Sequence, residues 1–302
     1  MLQYSGYVVA EAVSRAMPRP FAYWLSLRIA DVYFLCDRRG REAVMDNLRH
    51  VLAARGATPT GRELRLAARR TFRQFGKYLV EFFTFSRLTP GQIRDLVAVE
   101  HREYLEQAVA LGRGVILVTA HLGNWEMGGA VLAGLGYPLN VVALQQTSAK
   151  LNEFFEHHRR RRGMAVIPLG HAVPRIIRAL RRKECVALLA DRDYSQRTDF
   201  VSLFGAPACL PRGPAWLART TGAPILPGFM LRKDDDTFEL RFYPPIVATG
   251  LSAECVQRAI GSVLEAAVAR NPNQWFMFER VWDGRSYGQA GGAGEKRVNS
   301  KR

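Results

Sequence analysis

The twelve residues VILVTAHLGNWE, Val115 to Glu126, run from an apolar segment through a histidine and a glycine to an asparagine that can open a helix. Val115 to Val118 are all apolar, without the polar alternation of a half-solvated strand, so the run reads as a strand buried on both faces. Gly123 tolerates the backbone angles of a sharp reversal, and Asn124 is a good N-cap for a helix beginning at Trp125. A buried strand, a tight turn and a helix are the unit from which α/β sheets are assembled. In such sheets ligands collect at the carboxyl ends of strands, which is where His121 falls.

Outward from this unit the same alternation continues. Further strands are expected at Val141 to Leu144, Ala165 to Pro168 and Cys185 to Ala190, with helices at Trp125 to Leu135, Ala149 to Arg162 and Val173 to Arg182. Phe200 to Phe204, Ile225 to Leu231 and Phe238 to Tyr243 add strands, and Ala253 to Arg270 a closing helix. The runs Ile225 to Leu231 and Phe238 to Tyr243 flank a charged KDDD and read as a hairpin, so the sheet is expected to be mixed. The fold class is therefore α/β, a single core domain over residues 111–283 with helices flanking a mixed central sheet. Residues 1–110 read as a helical lead-in throughout, its last helix running from Ile93 to Leu111. Residues 284–302 are rich in glycine and charge, with almost nothing to bury, and read as a flexible tail.

The surface is basic. Forty-three Lys and Arg against 27 Asp and Glu leave a formal charge of +16, which attracts polyanions: nucleic acid, anionic lipid, phosphorylated glycolipid or an acidic carrier protein. Cys36, Cys185, Cys209 and Cys255 form no CxxC, and no HExxH or GxxxxGK[ST] occurs, so neither a zinc site nor a nucleotide-hydrolase loop is indicated. The aromatic aliphatic stretch from Phe21 to Leu35 is interrupted by Arg28 and Asp31 and flanked by Arg15 and Arg19. It can lie in a membrane interface or pack on the domain. The first residues, MLQYSGYVV, lack the basic segment of a secretory signal, so cytosolic exposure of the main domain is expected.

Chemistry centres on His121 and Glu126. Glu126 sits in the first turn of its helix, where free N–H groups keep a carboxylate ionised. If the turn folds back, that carboxylate can hold one imidazole nitrogen and leave the other as a base toward a hydroxyl. Otherwise His121 satisfies buried backbone and Glu126 is an ordinary first-turn acid. Of the consecutive Arg159, Arg160, Arg161 and Arg162, helical geometry lets one or two face a common site. Asp191 and Asp193 follow another strand end, suited to hydrogen bonding a hydroxyl or an arginine, or to weak magnesium binding. No GxSxG elbow is present, which favours direct attack over a covalent acyl-enzyme. A different class of protein would use the same arginines without the pair: a non-enzymatic binder of anionic membrane or nucleic acid. Nucleic acid is disfavoured because the aromatics cluster in apolar contexts rather than as a stacking platform.

Eight blocks occur in order: RRGREAVMDNLRHVL (Arg38 to Leu52), FRQFGKYLVEFF (Phe72 to Phe83), HLGNWE, RRRRG, LLADRD, LFGAP, GPAWLARTTGAP and NQWFMFERVW. Together they resemble the bacterial lipid A biosynthesis acyltransferases, a branch of the lysophospholipid and glycerol-phosphate acyltransferases. The resemblance implies a glycerol-phosphate acyltransferase-like fold with His121 as general base and Glu126 as its orienting carboxylate. It implies substrate contacts from Arg159, Arg162, Asp191, Asp193 and Gly205, Arg159 lying near the acyl carbonyl or the acceptor phosphate. It further implies acyl carrier protein or acyl-CoA as donor, a glycolipid acceptor with lipid A precursor first, and an anionic membrane surface as partner. The expected place is the cytoplasmic face of the inner membrane, peripheral or N-terminally anchored, as a monomer without bound cofactor or metal. Two positions depart from the pattern. ADRD stands where those enzymes more often carry Asp-Gln-Asp, and Glu279 stands where they more often carry histidine; ADRD also resembles the phosphatidylinositol mannoside acyltransferases.

Overall fold

The computed structural model describes residues 2–146, 148–193 and 200–282. The expected tail at 284–302 lies outside them. Four long helices come first: α1 (Leu2–Ala16), α2 (Arg19–Cys36), α3 (Arg38–Ala53) and α4 (Gly61–Thr84). Helix α4 begins where Thr60 and Glu63 cap each other reciprocally, satisfying two N–H groups that a helix start leaves open. Phe34, Val44, Leu48, Leu64, Ala68 and Phe72 form the apolar centre between α2, α3 and α4. Beside it Asp31 accepts two forked pairs of hydrogen bonds, from Arg69 at 2.8 and 2.8 Å and from Arg73 at 2.7 and 2.7 Å. These bonds hold the Asp31 carboxyl well below the usual carboxylate range.

The expected helix from Ile93 to Leu111 is three elements. Helix α5 (Pro90–Leu96) stops at strand β1 (Val97–Glu100), and α6 (Arg102–Ala110) starts after His101, whose φ of 57° breaks the chain direction. Val97 and Val99 are separated by the two-residue period of a strand, and a four-residue strand is too short for that period to outweigh its helical flanks.

Then the layers alternate: β2 (Val115–Thr119), α7 (Trp125–Gly134), β3 (Leu139–Ala143), α8 (Ala149–Arg160), β4 (Met164–Pro168), α9 (Ala172–Arg181) and β5 (Cys185–Leu189). A small hairpin follows, β6 (Phe200–Leu203) with β7 (Ala206–Cys209), and then α10 (Gly213–Thr221), β8 (Ile225–Arg232), β9 (Phe238–Phe242) and α11 (Ala253–Arg270). Strand β7 was not expected from APAC, because proline argues against a strand. It survives as one arm of a two-stranded ribbon, turned by Phe204 and Gly205, both at positive φ.

The main sheet runs β1-β9-β8-β2-β5-β3-β4. Strands β8, β2, β5, β3 and β4 are parallel, β9 returns antiparallel to β8, and β1 pairs parallel to β9, which makes the sheet mixed. Both faces are covered. Ile116, Val118, Val186 and Ile225 pack against Ile176, Leu217, Ile260 and Leu264 of α9, α10 and α11. Val115, Leu117, Leu139 and Leu240 pack against Leu105, Ala108, Met127 and Val131 of α6 and α7. Each fully buried side chain of this size stabilises the fold by about 1.5 to 3 kcal/mol.

The lead-in is tied to the last described segment. Asn47 of α3 is buried; its amide donates to the carbonyls of Met277 at 3.0 Å and Glu279 at 2.8 Å, while its oxygen accepts from Val281 N at 3.0 Å. Asn47→Ala strands these backbone groups, with an expected loss on the order of 3 kcal/mol in the midpoint-derived unfolding free energy. Asn47→Asp, which keeps the acceptor but sets a buried carboxylate oxygen against both carbonyls, should cost at least as much.

Candidate active site

Strands β2 and β5 are parallel neighbours in register, with Thr119 opposite Leu189. Two residues beyond each lie His121 and Asp191, which the register therefore sets side by side. His121 Nδ1 is 2.9 Å from Asp191 Oδ1, and the His121 backbone N–H donates to Asp191 Oδ2 at 2.9 Å. Trp275 Nε1 donates to the same oxygen at 3.0 Å. Burial pushes the Asp191 carboxyl up, but the charge and hydrogen bonds of His121 and the Trp275 indole outweigh it, and the group lies below its ordinary value. An ionised carboxylate on Nδ1 fixes the proton there and leaves Nε2 as the basic nitrogen of the neutral ring.

The turn between His121 and α7 is pinned from several directions. Gly123 has a φ of +63°, and a Cβ on it would overlap the carbonyl oxygen of Met230. Gly123 N donates to Gln274 O at 2.9 Å, Asn124 N to Met230 O at 2.8 Å, and Phe276 N to His121 O at 2.7 Å. Asn124 caps α7 as expected, its oxygen accepting from Met127 N at 3.0 Å.

Glu126 does not orient His121. Its carboxylate is taken by Arg159, with Nη2 at 2.6 Å and Nε at 3.1 and 3.2 Å from the two oxygens. The expectation rested on local spacing, whereas the first turn of α7 points this side chain toward α8. Burial raises the Glu126 carboxyl and the guanidinium beside it lowers it further, so it rests below its usual value. Of the four arginines, Arg159 and Arg162 turn inward and Arg160 and Arg161 are exposed. Arg162 is buried, donates to the Phe82 carbonyl and lies with its guanidinium 4.9 Å from the Phe82 ring centre.

His121, Glu126, Arg159, Arg192 and Asp193 open on a cavity of about 2220 Å³. Beneath α7 its wall is apolar, with Leu132, Leu139, Val141, Met230 and Leu240, and Gly128 and Gly129 leave the helix without side chains there. The space is at least twice that of an ordinary small-molecule pocket and suits a long chain together with a second substrate. Asp191 lies behind His121 rather than on the cavity wall. Gly205 is exposed in the β6–β7 turn and Arg162 stays packed on Phe82, so neither is among the wall residues. Among the described residues no three His, Cys, Asp or Glu side chains gather in a way that could hold a metal ion.

Arg192 and Glu279, the two departures from the family pattern, meet: Arg192 Nη2 is paired with Glu279 Oε1. Sequence reasoning missed three contributors, Trp275, Asn47 and the partnership of Asp191 with His121. Only the last had a readable signal, since LVTAH and ALLAD each place a polar ring or acid two residues past an apolar strand.

A histidine–carboxylate pair thus stands at adjacent strand ends, its imidazole on the wall of a large cavity with an apolar side. Residues 2–283 match the family model for bacterial lipid A biosynthesis acyltransferases, and the chain belongs to that family. It is an O-acyltransferase of the wider group that includes the phosphatidylinositol mannoside enzymes. A phosphatidylinositol mannoside acyltransferase of Mycolicibacterium smegmatis is 27% identical over 281 residues, 92% of this chain and 90% of that protein. One from Mycobacterium tuberculosis is 28% identical over 214 residues, 69% of this chain and 67% of its own. A lipid A biosynthesis palmitoleoyltransferase of Escherichia coli is 25% identical over 222 residues, 72% of each. The solved 1-acyl-sn-glycerophosphate acyltransferase of Thermotoga maritima aligns with a TM-score of 0.41 at 14% identity, covering 84% of this chain and 99% of that one.

The Glu126–Arg159 pair makes a stability test with a definite sign. A carboxyl lowered in the fold contributes stability above its unfolded value, about 4.3 for glutamate, and loses it as pH falls. Arg159→Met leaves Glu126 buried without its guanidinium and should cost about 3 kcal/mol at neutral pH. Denaturant unfolding across acid pH should show the deficit narrowing as Glu126 becomes protonated.

Proposed function

We propose that the enzyme transfers a fatty acyl chain from an acyl-CoA or acyl carrier protein thioester to a sugar hydroxyl of a membrane glycolipid, with His121 as general base. The observation that carries this is the His121–Asp191 pair, with His121 on the wall of the cavity and Asp191 behind it. The acceptor hydroxyl gives its proton to His121 Nε2 as its oxygen attacks the thioester carbonyl; a C–O bond forms, the C–S bond breaks, and the imidazolium returns the proton to the leaving thiolate. Asp191 stabilises the imidazolium and holds the ring. Arg159 spends Nε and Nη2 on Glu126 and keeps its remaining N–H groups for a thioester oxygen or an acceptor phosphate. Glu126 thus serves as the anchor of Arg159.

For the acceptor, a phosphatidylinositol mannoside is favoured over lipid A precursor, reversing the order expected from the resemblance. The support is the somewhat higher identity of the mannoside enzymes, the fuller coverage of the Mycolicibacterium smegmatis one, and the Arg192–Glu279 pair in place of the lipid A pattern. His121→Ala should lower transfer by roughly 10² to 10⁴, and Asp191→Asn by a similar order, with little loss of fold. The assay pairs a long-chain acyl-CoA with phosphatidylinositol mannosides or lipid A precursor; full transfer by His121→Ala would sink the mechanism. Transfer to lipid A precursor alone would restore the first order of acceptors.

The site is served from a membrane surface at the cytoplasmic face. Phe21, Trp24, Ile29, Val32, Tyr33 and Leu35 of α2 are all more than half exposed, on a chain of net positive charge. Among the described residues no helix is long and apolar enough to cross a membrane, so α2 is read as lying in the interface. Replacing Phe21 and Trp24 together by serine should weaken binding to anionic phospholipid vesicles about tenfold or more, measured by cosedimentation.

A further inference from the structure

Behind the turn that carries His121 lies a buried polar cluster. Glu81 of α4 is 4% exposed, and each of its carboxylate oxygens is engaged. Asn124 Nδ2 donates to Oε2 at 2.7 Å, and the Tyr23 hydroxyl donates to Oε1 at 2.6 Å. Arg232 completes the group by pairing with Oε1, while its backbone exchanges hydrogen bonds with the Gln274 side chain at 2.9 and 2.7 Å. Tyr23, Asn124, Arg232 and Gln274 are each buried, and none of them, nor Glu81, is on the cavity wall.

The chemistry of this cluster is directional. An amide can cap α7 with its oxygen only if its nitrogen finds an acceptor on the other side, and a carboxylate accepts and never donates. Glu81 therefore permits one orientation of the Asn124 amide, the one observed. Asn124 is the last residue of the turn that begins at His121, and the donor on the far side of Glu81 belongs to α2. Burial and the neighbouring Glu81 push the Tyr23 phenol up, so it keeps the proton that it donates.

We infer that Glu81 is a positioning residue for His121, holding the catalytic turn through Asn124 and joining it through Tyr23 to the helix that bears the exposed aromatic face. The inference rests on the reading of His121 as the base. It gives the helical lead-in a part in turnover: seating α2 on α4 fixes the imidazole, while no lead-in residue of the cluster touches the cavity.

The decisive variant is Asn124→Ser in the full chain. Serine is as good an N-cap as asparagine, but its hydroxyl is too short to span to Glu81. A role confined to capping α7 would leave turnover unchanged. The positioning role predicts a kcat about 10 to 10² lower with KM for a long-chain acyl-CoA unchanged, and a moved imidazole ¹⁵N resonance for His121. Tyr23→Phe, which removes one hydroxyl and no charge, should lower kcat in the same sense by a smaller factor. Adding it to Asn124→Ser should cost less than the two effects combined. Wild-type kcat in both variants overturns the inference, and so does a lowered kcat with an unmoved His121 resonance. Activity retained by His121→Ala instead removes the underlying reading of the base, a result separable from either of these.

Discussion

Parallel pairing of β2 with β5 is the constraint on which the site depends. Side chains alternate faces along a strand, so a slip of one residue would put His121 and Asp191 on opposite sides of the sheet as well as out of step. The apolar content of both strands prevents that slip. Val115 and Leu117 belong under α6 and α7, Ile116 and Val118 under α10 and α11, and only one register buries all four with their counterparts in β5. A contact between residues 70 positions apart, the base and its carboxylate in the proposed mechanism, is thus specified by hydrophobic packing that contains neither of them.

The remainder of the site consists of devices that hold the end of β2 in place. Gly123 lets the chain reverse against Met230, and the segment around Trp275 and Phe276 closes over the reversal from the other side. Asp191 is held by three donors, and its buried charge is compensated within the same set of contacts that orients the ring. Arg159 and Glu126 form an ion pair on the cavity wall, separate from the His121–Asp191 pair. Two buried carboxylates therefore have two distinct partners, one committed to an imidazole and the other to a guanidinium.

Much of this was legible in the sequence where the signal was local. Helix α11 runs from Ala253 to Arg270 as its spacing predicts, and Asn124 caps α7 where a cap residue precedes an apolar run. The hairpin of β8 and β9 and the mixed sheet follow from two apolar runs flanking charged turn residues. What failed was long-range or short. Four residues of β1 carry too little period to separate them from neighbouring helices, and β7 contains a proline. Sequence spacing offers His121 a partner five residues away, because only sequence distance is visible in a single chain. The true partner is adjacent through strand pairing, a relation that exists once the sheet order β2-β5 is known.

Arg192 and Glu279 stand 87 positions apart and form a pair in which each is about three-quarters shielded from water. The two side chains are consequently coupled in energy. Replacing Arg192 by glutamine without altering Glu279 would leave a largely shielded carboxylate without its guanidinium. Substitutions here should treat the two positions as one unit, because a residue-by-residue alanine scan would read one coupled pair as two independent defects.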